Sequence, residues 1–387
     1  MSFENKNVAT YIVFSFLIVA AYYGSSVLVR PLILPPTFAA PIWPAAGIAT
    51  GALILWGYKY IPAILIGEIL VNLNFYKIDE FHDNPTLMVT YSLMLLATTI
   101  RSTLAAYLVR KYLGNKNQYL TFQSIVKLFI LAGIVPTFIS SSLSTLTLYD
   151  SNLLEDGSVW LNFLTWWFGD SVGVFILLPM MLLLFKKPRE VWKKRLFKTV
   201  IPVLLTFFLL LIIAQNLKNL EHKRLISILD NRATELSDKV FKKFSMKGNK
   251  LHNIHPNNFS AKMSQLLKQE VLNARNDENL KDAHFVISFK NGNTETIIAE
   301  SENRFKKSKK WRSQSKFDFG QYKWIIEAYT TSLFFVNSAS WLIWWLLSTG
   351  FLFIALMEAG LLVITGNEIK TINLVKKRTK EIETLNK

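Results

Sequence analysis

Cysteine is absent from the 387 residues. That absence excludes a disulfide framework, a thiolate nucleophile and any cysteine-ligated metal, and it leaves the redox compartment unread. Histidine is scarce: His82, His222, His252, His255 and His284 are the full set. His252 and His255 stand three residues apart beside Pro256, with no carboxylate or thiolate at ligand spacing, so no metal site is read from them. Acid is also short, with 27 Asp and Glu against 44 Lys and Arg and a formal charge of +17. No Gly-rich nucleotide loop or Walker sequence occurs. The C-terminal tail lacks the acidic doublet that would hold Mg²⁺ for phosphoryl transfer. Together these gaps predict a chain with no catalytic centre, no metal and no cofactor.

Apolar residues are what the chain has in excess. They make up 51% of it, with aromatics at 13%, and they gather in long runs that define the membrane class. Eight runs stand out: Val8–Val29, Phe38–Trp56, Tyr60–Phe75, Pro85–Val109, Phe122–Tyr149, Val159–Phe185, Leu196–Leu217 and Leu333–Thr365. A span needs about 20 residues to cross about 30 Å of hydrocarbon. The third run is short and carries Pro62 near its start. The first is too long for a signal-peptide core and has no small-residue cleavage site, so it reads as an uncleaved span.

The loops orient these spans. Lys59, then Arg110, Lys111 and Lys116, then Lys186, Lys187, Arg189, Lys193, Lys194, Arg195 and Lys198 fall on one side, which the positive-inside rule makes cytoplasmic. Asp79, Glu80 and Asp83, and later Asp150, Glu155 and Asp156, fall on the other. Eight spans then put both termini in the cytoplasm of a bacterial inner membrane, and all five histidines outside. The positive charge is accounted for by those cytoplasmic loops, so the bilayer, not nucleic acid, is the implied partner.

Within the second run, Gly47 and Gly51 form a Gly-x-x-x-Gly pair that lets a neighbouring helix approach closely. Trp43 suits the headgroup level, and Pro44 fits the first turn of a helix. The stretch Trp43-Pro44-x-x-Gly47, then Gly67-Glu68-Ile69-Leu70-Val71-Asn72, then Trp166-Trp167-Phe168-Gly169-Asp170-Ser171-Val172-Gly173 with Pro179, resembles the MASE-type membrane-associated sensor domain in its first-described form. The resemblance covers roughly the first 215 residues. It implies a membrane sensor bundle of seven spans over residues 1–217.

Residues 218–332 are polar enough and long enough for a small external domain. Leu225, Ile228, Leu229, Leu236, Val240 and Phe244 recur at helical steps over 220–244, and a second helix fits Asn258–Arg275. Strand-like runs follow at Phe285–Phe289, Thr294–Ala299 and Lys316–Thr330, the first two flanking Asn291-Gly292, a hairpin signal. In the last run Tyr322, Trp324 and Tyr329 are candidates either for packing or for an aromatic ligand cage. A long helix, a shorter one and an antiparallel sheet ending Phe317-Asp318-Phe319-Gly320-x-x-x-Trp324 resemble extracytoplasmic sensor modules of the PAS-like and CHASE groups. The fold expected is thus an all-α membrane bundle of about eight spans, an inserted α+β domain, a last span over 333–365 and a cytoplasmic coiled-coil helix over 366–387.

That final helix places Ile372, Val375, Thr379, Ile382 and Asn386 at alternating three- and four-residue steps, the spacing of a short two-stranded coiled coil and hence of a homodimer. Val375-x-x-Arg378-Thr379-x-Glu381-Ile382 resembles the signalling helix between a last span and an output module. The resemblance implies the input region of a two-component histidine kinase acting through a response regulator, with a diguanylate cyclase as the alternative output. A transporter is the alternative from another class.

Three ionisable residues fall deep in the runs: Glu68, Arg101 and Asp170. Each costs about 2.5–3.5 kcal/mol at a helix centre on insertion scales. One arginine set between two carboxylates offers pairing with either. The cluster reads either as a static ion pair or as a switch that answers a small-molecule signal, with Asn72, Asn74, Trp166 and Trp167 lining the same space. Glu358 is expected near the inner end of the last span with its head among the headgroups.

Overall fold

The computed structural model describes residues 2–33, 39–75, 85–114, 121–154, 158–186, 189–251, 283–291, 294–300, 312–319, 322–330 and 341–385, with single positions at 265, 267, 269, 270, 273, 334 and 338. His82, His252, His255, Asn386 and most of the expected helix Asn258–Arg275 lie outside the described residues. Two compact units are present: Met1–Asn216 with Leu342–Lys387, and Leu217–Trp341.

The first unit is a helix bundle. Its elements are α1 (Ser2–Val29), α2 (Pro44–Trp56), α3 (Ile61–Phe75), α4 (Pro85–Leu113), α5 (Phe122–Phe129), a π-helical turn (Ile130–Ile134), α6 (Val135–Asp150), α7 (Val159–Phe185), the inner part of α8 (Arg189–Leu251) and most of α9 (Trp341–Leu385). Six described helices are long and apolar enough to cross a membrane. α2 has 13 residues and α3 has 15. At 1.5 Å per residue that is about 20 and 23 Å, short of a full crossing. Gly57, at φ 101, ends α2 and lets the chain turn through Tyr58–Tyr60 into α3.

The fifth run is continuous but not uniform. Pro136 has no N–H to offer the preceding turn, and the helix widens just before it, with the Val135 N–H bonding the Ile130 carbonyl. α2 and α7 lie at the centre. Every residue from Pro44 to Leu53 is buried, and so are Gly169–Ile176 on α7.

The second unit is a four-stranded antiparallel sheet packed on the outer part of α8. β1 (Ala283–Asn291), β2 (Thr294–Glu300), β3 (Arg312–Phe319) and β4 (Tyr322–Thr330) lie in the order β2-β1-β4-β3. β1 and β2 form the expected hairpin, but Asn291 is itself paired with Thr294, so the ladder runs one residue further than a turn centred on Asn291-Gly292 would allow. β3 and β4 divide the expected run Lys316–Thr330. Leu225, Leu229, Ala233, Leu236 and Val240 of α8 meet Phe285, Ile287, Trp324, Ile326 and Leu267 in one core. Phe334, expected at the start of the last span, belongs to that core instead, and the described span starts at Leu342. Arg224, held by Glu221 at 2.7 and 2.8 Å, also donates to the Ser338 carbonyl.

Candidate functional site

The site is built where an extended segment crosses a helix. Ala39–Ile42 is buried and Trp43 half-buried, and the Trp43 N–H donates to the Gly169 carbonyl of α7 at 2.9 Å. Such an approach requires glycine. A Cβ on Gly169 would overlap the Ala40 carbonyl, one on Gly173 the Trp43 carbonyl, and one on Gly47 the Gly173 carbonyl. Gly51 faces Met181. Gly47, Gly51 and Gly173 therefore sit on the α2–α7 contact and Gly169 meets the segment that leads into α2, and together they bring Trp43 beside the polar stretch of α7.

A cavity of about 60 Å³ opens there. Trp43, Glu68, Asn72, Arg101, Trp166 and Asp170 line it, with Met94 and Thr98. Arg101 is 1% exposed and Asp170 is fully buried, and Arg101 Nη1 donates to Asp170 Oδ2. Arg101 Nε and Nη2 and Asp170 Oδ1 are enclosed and have no hydrogen-bond partner among the described residues. Glu68, 7% exposed, takes its hydrogen bond from a group the sequence reading missed, the Tyr22 hydroxyl of α1. A phenol buried at mid-span needs a polar partner, and that requirement was the available signal.

Arg101 thus pairs with one of its two candidate carboxylates. Glu68 is left with a neutral partner, so the cavity wall carries one acid not matched by a cation. Its chemistry is that of an acceptor for a proton, a cation or a hydrogen-bond donor.

Not every predicted residue converges on the cavity. Trp167 turns away and donates Nε1 to the Ile134 carbonyl at 3.0 Å, in the widened turn, where it stacks with Phe163. Asn74 bonds Tyr23 and, at 2.6 Å, Arg30. The candidates on the sheet do not share a face either. Trp324 packs in the sheet core and stacks on Phe317. Tyr329, five residues on, lies on the opposite face and donates to Glu327 at 2.8 Å. Burial and that hydrogen bond push its phenol up to about 12. Tyr322 pairs with Phe319 along the backbone, and its side chain lies outside what is described. An aromatic cage built from Trp324 and Tyr329 is therefore ruled out.

Two charged residues stand elsewhere than expected. Arg195 and Glu358, assigned to a cytoplasmic loop and to the headgroups, are both fully buried.

Membrane-length helices gathered around a cavity that carries three ionisable side chains define a multi-pass membrane protein with a candidate site inside its bundle. The MASE1 family model matches residues 12–225, more than half of the chain, and the chain belongs to the MASE1 family. MASE1 is a membrane sensory domain found in signalling proteins. No curated protein and no solved structure matches the chain.

Proposed function

We propose that the chain is the input region of a bacterial inner-membrane receptor, most simply a two-component histidine kinase, and that the Glu68–Arg101–Asp170 cavity receives its signal. The observation that carries this is the cavity itself: three ionisable side chains held at membrane depth in a sensory family, one of them without a cationic partner. Intramembrane ionisable groups are costly and are retained at functional positions. A small molecule or proton that prefers one arrangement of Glu68 and Tyr22 shifts the bundle toward that arrangement.

In this reading α2 and α3 are two shortened spans. The segment Ala39–Trp43, buried as far as Ile42, supplies the depth that α2 lacks, which keeps eight crossings and both termini inside. The sheet unit is a PAS- or CHASE-like extracytoplasmic module, supported by its long leading helix and antiparallel sheet. α9 runs unbroken from the last span through Leu385, and Ile372, Val375 and Ile382 on it are exposed, as a coiled-coil seam awaiting a second copy requires. The chain itself performs no chemistry, and the output lies in a downstream domain.

Two measurements test this. Single cysteines are readily placed in a cysteine-free chain. One at Asp150 labels with an impermeant maleimide in intact cells, and one at Lys111 only after permeabilisation; the reverse pattern overturns the topology. In nanodiscs, Trp43 and Trp166 report on the cavity. A signal compound found by fluorescence screening changes the emission of the wild-type chain and loses at least tenfold in affinity in Glu68→Gln, about 1.4 kcal/mol. Glu68-dependent flux of that compound into proteoliposomes would make the bundle a transporter instead.

A further inference from the structure

A second buried acid lies apart from the cavity. Glu358 of α9 is fully buried, and neither of its carboxylate oxygens has a hydrogen-bond partner among the described residues. It sits in the buried stripe Phe351, Ile354, Ala355, Glu358, Leu362 and Thr365, at the three- and four-residue steps of a packed helix face. The opposing face belongs to the inner part of α8. Phe207 meets Phe351 and Leu210 meets Gly350 toward one end, while Arg195 meets Leu362 and Thr365 toward the other. Glu358 lies between these rungs.

Arg195 is the complementary oddity. Its Nε donates to Thr365 Oγ1 at 3.0 Å and its Nη2 to the Leu362 carbonyl at 2.5 Å, while Nη1 has no hydrogen-bond partner among the described residues. Leu362 is four residues beyond Glu358, just over one helical turn, or about 6 Å along the axis. A buried cation with a spare donor and a buried acid with no partner thus share one helix–helix contact, one turn apart, and do not pair. The other charges nearby are committed. Lys198 holds Glu368 at 2.8 Å, and Lys186, at the end of α7, lies over the Trp192 ring that Arg195 also faces. Asp170 on α7 is held by Arg101.

An unpaired carboxylate in an apolar contact is far costlier than a neutral carboxyl, so the arrangement seen fits a protonated Glu358. Ionised, the same group needs a cation, and Arg195 is one turn away.

We propose that Glu358 is a proton-binding site of the last span and that Arg195 is its alternating partner. With the proton bound, Arg195 stays on Leu362 and Thr365. When the proton leaves to solvent at the nearer, inner end of the span, the guanidinium swings one turn to the Glu358 carboxylate. Thr365 and the Leu362 carbonyl are then released, at the point where α9 leaves the bundle and becomes exposed. The device needs no ligand in the Glu68 cavity, so it stands or falls separately from that reading.

Infrared difference spectroscopy of the full chain in liposomes tests it, with Glu358→Gln identifying the protonated-carboxyl band. In the wild-type chain that band disappears at a lower pH than in Arg195→Gln, by about one unit or more, a tenfold change in proton affinity. Thr365→Val frees Arg195 from its present partner and moves the midpoint the opposite way, downward. This second variant decides the matter if Arg195→Gln does not fold. Identical midpoints in the variants that fold, or no Glu358-dependent band at any pH, overturn the proposal.

Discussion

Asp170→Asn destabilises the membrane unit by about 3–5 kcal/mol, because it removes the carboxylate that the buried Arg101 guanidinium is paired with. Thermal unfolding in mild detergent, followed by tryptophan emission, measures the loss. The companion variant Arg101→Met/Asp170→Leu separates the pair's worth from the cost of breaking it. Replacing both charges by apolar side chains of similar volume is often neutral or stabilising. The double variant is therefore expected to melt close to the wild-type chain and well above either single one. If its loss equals the sum of the single losses, the two side chains do not act as a pair. Two donors of Arg101 have no partner among the described residues, so the pair as it stands is not an optimal structural device. A double variant that keeps stability but loses signal response would assign the pair to switching.

Gly173→Ala carries the second large effect. A Cβ there would overlap the Trp43 carbonyl, and a Cβ at Gly169 the Ala40 carbonyl, so backbone rather than a movable side chain stands in the way. The extended segment must retreat, the Trp43–Gly169 hydrogen bond lengthens, and overpacking of this kind costs about 1–3 kcal/mol. Because the same segment carries Trp43 into the cavity, Gly173→Ala also changes the emission of that tryptophan. Gly24→Ala is the control. Nothing lies within 4 Å of a Cβ there, and removing a helical glycine is neutral or stabilising by up to about 1 kcal/mol. Equal melting temperatures for the two variants would refute the close-approach account of the α2–α7 contact.

Much of this architecture was legible because the bilayer writes in a coarse alphabet. Long apolar runs mark helices by length alone, and the glycines on α2 and α7 mark where two of them touch. The Asn291-Gly292 pair marked the place of its hairpin, though the strands pair one residue further than that turn predicts. What stayed hidden depends on direction around a helix and not on depth along it. Glu358 was read from its depth, close to the inner end. Its neighbours Phe351, Ala355 and Leu362 at helical spacing show that it faces inward. Arg195 was read as one basic residue in a loop, though it opens the helix that packs on α9. Tyr22 was invisible for another reason: its partner Glu68 is 46 residues away, and no local pattern announces such a bond. Trp167 was misplaced by its neighbour. Adjacent positions on a helix point about 100° apart, so lining by Trp166 argues against lining by Trp167.

The widened turn at Ile130–Ile134 amounts to one surplus residue stored in the span. A helix that absorbs an extra residue leaves the turn about 100° out of phase with how it entered. Ser140, Ser141 and Ser144, all buried, lie beyond that turn, and Ile125 and Leu128, also buried, lie before it. No single unbroken helical wheel puts both sets on the same side. The surplus residue is therefore what holds the two buried faces on one side of the span: a one-residue deletion within the turn would return it to a regular helix with those faces still aligned, whereas a further inserted residue would rotate one of them by about 100° unless the helix widened again.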